Sequence, residues 1–184
     1  MNTDLSTADE RTVAAILLIS KGFVPWPLRY SNRDHRTENW TQLSLLARSS
    51  SRRHERWIQV QVEELIDGFI APCTFEVLTG AISRVIALRT WNVESDVVVA
   101  IQLPPTPLVI ENAGGTYYFF RHPDHRIGTT YATVPYQGSV TLLQIIGDGG
   151  AVIIPPVLFE RVCEWPDVAD LPSLDFTNLM VGLP

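Results

Sequence analysis

The sequence predicts an α+β fold, with helices in its N-terminal third and strands through its middle. An amphipathic run at helical spacing opens the chain, and β-rich runs divided by Gly and Pro breaks follow in its central part. Composition is the third observation. A chain of 184 residues, 46% hydrophobic and 18% charged with five tryptophans, can bury one core without staples. A single domain spanning 1–184 is the expectation.

Each element has a local reason. "STADERTVAAILLISKGF" offers Ser6 or Thr7 as N-cap and acids in the first turn. Apolar positions 13, 16, 17 and 19 follow at helical spacing, and Gly22 is the stop. "FVPWPL" reads as a short extended strand, since Pro25 and Pro27 exclude helix. Residues 29–56 are polar and Arg-rich, a long loop or mobile segment. "RWIQVQVEELIDGF" alternates at its front and ends like a helix at Gly68; helix is favoured.

"CTFEVLTG" and "ISRVIALRTWN" are β-rich runs joined at Thr79-Gly80. "VESDVVVAIQL" is a further strand or a short helix, and "PPTP" is a rigid break. "ENAGGTYYFFRHPD" reads as a tight turn and an aromatic strand. Tyr117 and Phe119 fall on one face, Tyr118 and Phe120 on the other. "LLQIIGDGGAVIIPP" reads as a hairpin with Asp148-Gly149 at its tip, because both positions tolerate positive φ. The tail "FERVCEWPDVADLPSLDFTNLM" ends in a short helix.

Charge limits the partners. A net charge of −6 argues against a protein that coats nucleic acid or anionic membranes by charge alone. The charge is uneven, however. Arg29, Arg33, Arg36, Arg48, Arg52, Arg53 and Arg56 face only Asp34, Glu38 and Glu55 in their segment. Beyond Arg161 come Glu164, Asp167, Asp170 and Asp175 with no basic residue. Cys73 and Cys163 fit neither zinc spacing nor a disulfide framework, and two buried free thiols are expected. With no signal-like or membrane-length apolar run, the expectation is a soluble cytoplasmic protein without a membrane partner.

Single motifs leave the chemistry open. "GDGG" lacks the Lys and Ser/Thr of a P-loop and sits between strands rather than before a helix. His122 and His125 in "RHPDH" could be a metal pair or a solvated turn. Glu94 and Asp96 could serve a divalent ion or be surface acids before a strand. "SSSRRHER" could contact phosphates or be a solvated face.

The order of the pieces says more. "AAILLISKGFVPWPL", "VLTGAISRVIALRTW", "NAGGTYYFFR", "LLQIIGDGGAVIIPP" and "FERVCEWPDVADLPSLD" together resemble the N-terminal domain of bifunctional primase–polymerases, in the archaeo-eukaryotic primase superfamily. The family's matching features are an opening helix with a Gly-aromatic-x-x-x-Pro strand and a Thr-Gly-x-x-Ser segment leading into an acid-x-acid strand. A Gly-Gly-x-His-x-x-Phe strand, an Asp-x-Arg-x-x-Gly-Gly…Pro-Pro hairpin and a Leu-Pro-x-Leu-Pro tail complete the set. The resemblance spans nearly the whole chain. It implies mixed or antiparallel sheets flanked by helices around a central cleft.

The departures carry the functional expectation. In that family three acids hold the Mg²⁺ or Mn²⁺ ions of a two-metal phosphoryl transfer, and a histidine contacts nucleotide phosphates. Here the acid pair falls on Arg89 and Trp91, the histidine on Tyr117, the third acid on Gln144 and the hairpin arginine on Ile146. The resemblance therefore implies a vacated cleft at Arg89, Trp91, Tyr117 and Gln144, with no catalytic residue, metal or cofactor. Such a pseudoenzyme of DNA replication would bind single-stranded DNA or a replication or regulatory protein. Arg48, Arg52, Arg53, Arg56 and Arg89 are its nucleic-acid-binding candidates. One alternative is an active primase/polymerase using Mg²⁺ or Mn²⁺ on shifted ligands, Glu94, Asp96, His122 and Asp148. Another is a protein-interaction module with no nucleic-acid role.

Overall fold

The computed structural model describes residues 5–29, 73–174 and 180–181. In chain order these form α1 (Leu5–Ser20), β1 (Pro25–Arg29), β2 (Cys73–Leu78), β3 (Val85–Thr90) and α2 (Val93–Gln102). Then come β4 (Val109–Asn112), β5 (Gly115–Arg121), β6 (Thr130–Tyr136), β7 (Ser139–Ile146) and β8 (Ala151–Ile154). Two 3-10 segments, Pro156–Glu164 and Val168–Asp170, precede the short β9 (Met180–Val181). The α+β expectation holds. The helix expected within residues 56–69 and the arginines Arg33, Arg36, Arg48, Arg52, Arg53 and Arg56 lie outside the described residues.

Among the described residues the strands form two antiparallel sheets. The smaller is ordered β1-β2-β8 and the larger β4-β5-β3-β7-β6-β9. Alternation along the central strands of the larger sheet makes two cores. Ala87, Tyr117, Phe119 and Ile146 face the smaller sheet, α1 and the first 3-10 segment. Leu88, Phe120, Leu143 and Ile145 face the other way, against Val98 and Val99 of α2. Phe119 and Phe120 are both fully buried, one in each core, and each contributes about 1.5–3 kcal/mol.

The helix ends follow their local chemistry. Gly22 closes α1 at φ 88, with Phe23 N–H donating to Leu18 O and Gly22 N–H to Ile19 O. That is the paired bonding of a glycine C-cap. "VESDVVVAIQL" resolves as helix rather than strand because Asn92 caps it. Asn92 Oδ1 accepts from Ser95 N–H, and Asn92 N–H donates to Ser95 Oγ in return. Glu94 and Asp96 therefore occupy a first helical turn, where the helix dipole favours acids.

Two further expectations change. β7 and β8 are not a hairpin, because β7 pairs with β3 and β6 whereas β8 pairs with β2 in the other sheet. The intervening Gly147–Gly150 turn is a crossover closed by Gly150 N–H donating to Gly147 O. Of its central pair only Gly149 takes positive φ, at 81. The real hairpin joins β6 to β7 through Gln137 and Gly138, at φ 48 and 80, the left-handed pair of a type I′ turn. Cys163 is exposed rather than buried. The tail runs through two 3-10 segments, and the short helix expected at its end falls on residues 175–179, outside the described residues. Among the described residues, no helix is long and apolar enough to cross a membrane.

Candidate functional site

Antiparallel register assembles the site. Arg89, next to last in β3, stands opposite Tyr117 of β5 on one side and Gln144 of β7 on the other. Gln144 in turn stands opposite Tyr131 of β6. The pleat puts all four on the face that carries Ala87 and Ile146, and Trp91 follows two residues after Arg89 on the same side. Arg89, Trp91, Tyr117 and Gln144, far apart in sequence, thus come together.

Arg89 is the hub. Its Nε donates to Gly114 O at 2.6 Å and its Nη1 to Gln144 Oε1 at 3.3 Å. The guanidinium carbon lies 5.1 Å from the Trp91 ring centroid and 5.7 Å from that of Tyr117. Both distances lie within cation–π reach. The Gly114 carbonyl is fixed in turn, since Gly114 N–H donates to Asn112 Oδ1 at 2.7 Å. Asn112 Nδ2 donates onward to Ile153 O of the smaller sheet at 3.1 Å. Gly115 must be glycine: at φ 132, a Cβ would lie 2.1 Å from Thr90 O.

Two contacts use part of a guanidinium that carries five N–H donors. Among the described residues, no carboxylate forms an ion pair with Arg89. Exposure rises outward along the same face. Tyr117 is 7% exposed and Ile146 6%, whereas Trp91 is 41% exposed, Tyr131 38% and Leu142 41%. Trp91 and Tyr131 stack with centroids 6.1 Å apart and planes 27° apart. The site is a fixed cation at the buried end of an open aromatic surface.

The shifted-ligand set does not meet. Asp96 Oδ1 accepts from Thr90 Oγ1 and from Tyr118 Oη, the latter at 3.1 Å, beside the C-terminal end of β3. Burial first, and then the hydrogen bond and charge of Asp96, push the Tyr118 phenol up to about 12. His122 lies at the opposite end of β3, where its N–H donates to Arg84 O. Its Nε2 sits 3.3 Å from Asp148 Oδ1 without hydrogen-bond alignment. Six residue steps of about 3.3 Å put the two pairs roughly 20 Å apart. Glu94 is exposed on α2.

Asp148 is instead a clamp. Its Oδ1 accepts from Ala81 N–H at 2.8 Å and its Oδ2 from Ile127 N–H at 2.9 Å. This ties the crossover to two loops. Among the described residues, no three of His, Cys, Asp or Glu are grouped so as to hold a metal ion.

Two contributors to the site were missed from the sequence, Tyr131 and the Gly114 carbonyl. The two-residue turn at Gln137-Gly138 held the signal for Tyr131. Counting back from Tyr136 opposite Ser139 reaches Tyr131 opposite Gln144. The carbonyl leaves no trace in a side-chain pattern. No family model matches the chain, and no curated protein matches it.

Proposed function

We propose that this chain is a non-catalytic primase–polymerase-like domain that binds single-stranded nucleic acid in the cytoplasm through the Arg89 face. One observation carries the reading. The four positions that the resemblance gives to metal ligands and a phosphate-contacting histidine converge as a cation, an amide and two aromatic rings.

These residues do not fit a divalent ion. A guanidinium at the centre repels it, and Gln144 Oε1, the neutral oxygen nearest to a ligand, already accepts from Arg89. The same group suits an anion. A guanidinium that uses one N–H at Nε and one at Nη1 keeps further N–H donors for a phosphate oxygen. Aromatic surroundings suit the bases beside that phosphate.

Fluorescence anisotropy of labelled single-stranded DNA at low and moderate salt tests the reading. Binding that weakens as salt rises is expected. Primer-extension assays with Mg²⁺ or Mn²⁺ should show no incorporation. Undetectable binding at low salt would leave the protein-interaction alternative, and incorporation would make the domain an enzyme.

A further inference from the structure

We infer that Trp91 and Tyr131 form a platform on which one unpaired nucleobase stacks, while Arg89 holds the phosphate next to it. The inference rests on the nucleic-acid reading above and specifies its ligand: a single strand, bound with little sequence preference, in place of a duplex.

The platform is built rather than incidental. Trp91 leaves β3 just before the Asn92 cap of α2, so a strand end and a helix start fix its backbone on both sides. Tyr131 is held in the β6–β7 ladder opposite Gln144, which itself accepts from Arg89. The two rings lie 27° from parallel and share a stack that remains open to solvent, at 41% and 38% exposure. Two large stacked rings at the surface, each more than a third exposed, leave apolar area unburied that a flat ligand can cover. Beyond them the face continues through Leu142, 41% exposed, and Val140, 62% exposed, without a charged side chain.

The two halves of the site select for different parts of one ligand. Arg89 lies 5.1 Å from the Trp91 centroid, so an anion on its remaining N–H donors sits within one nucleotide of the stack. A π-face is common to every base, which makes the contact tolerant of sequence. In a duplex both faces of each base are covered by its neighbours, so only an unpaired base can extend the stack. A duplex phosphate could reach Arg89 but would leave the rings bare.

Anisotropy with a short labelled oligothymidine, and with a strand of the same length carrying abasic sites, tests this on the full chain. Trp91→Ala and Tyr131→Ala should each weaken oligothymidine binding about 10-fold, and Trp91→Phe should keep most of the affinity. The abasic strand should bind the wild type about 10-fold more weakly, and a duplex should compete poorly. Both substituted positions are exposed, so thermal melting should show folded variants. If both alanine variants bind as the wild type does, or the abasic strand binds equally well, the stacking platform is overturned. Nucleic-acid binding elsewhere on the chain then survives. If the wild type binds no single strand at all, the reading beneath it falls as well.

Discussion

Arg89 and Gln144 are register partners across β3 and β7, and the guanidinium donates to the amide oxygen at 3.3 Å. The pair keeps the cation oriented without neutralising it. A carboxylate at position 144 would hold the same geometry but cancel the charge. Gln144→Asp should therefore weaken single-strand binding several-fold, while Gln144→Glu, with a longer reach, should do the same. Anisotropy at low salt checks both. Unchanged affinity would mean that Arg89 contacts no phosphate.

If the scaffold is that of a primase–polymerase, restoring its acids should restore metal affinity. The variant carrying Arg89→Asp, Trp91→Asp and Gln144→Asp converts all three positions together. Its melting temperature should rise when Mn²⁺ is added, whereas the wild type should show no such rise. A folded triple variant indifferent to Mn²⁺ would argue that these positions do not form the family's metal site.

How much of this was legible in the sequence follows from what each feature depends on. The Gly22 stop, the face assignment of Tyr117 and Phe120 and the turn at Gly114-Gly115 are local consequences of backbone freedom and strand alternation. Pairing is not local. "IIGDGGAVII" has the pattern of a hairpin, yet β7 and β8 enter different sheets because β2 and β3 are already split between those sheets. The acids of α2 were ambiguous for a related reason. "VESDVVVAIQ" is rich in β-branched residues, and the Asn92–Ser95 capping box outweighs that preference. The convergence of Arg89, Tyr117 and Gln144 could be expected only by analogy, since no spacing rule predicts three-strand register.

Asp148 should matter for stability and not for chemistry. Asp148→Ala removes the acceptor for Ala81 N–H and Ile127 N–H at once. Water can reach the exposed Ala81 donor, so the expected loss is about 2 kcal/mol rather than the sum of two buried penalties. Urea unfolding measures it, and single-strand affinity of the folded variant should be unchanged.

Tyr118 predicts a change at alkaline pH. Its phenol is pushed from 10.0 to about 12 by burial and the neighbouring Asp96 carboxylate. The folded state therefore keeps a proton that the unfolded chain gives up. This contribution is fully present below pH 10 and is lost as pH rises towards 12. Tyr118→Phe cannot ionise, so its urea midpoint should fall less than that of the wild type between the two ends of that window. Parallel declines would mean that burial and Asp96 do not hold the phenol in its neutral form.

The most direct measurement is oligothymidine binding in the presence of EDTA, for the wild type and Arg89→Ala. The wild type should keep its affinity without divalent ions. Arg89→Ala should bind more weakly, and its log–log salt slope should be shallower by about 0.7, the share of one phosphate. Binding that requires Mg²⁺ or Mn²⁺, or an Arg89→Ala variant with unaltered affinity and slope, would contradict the proposed function.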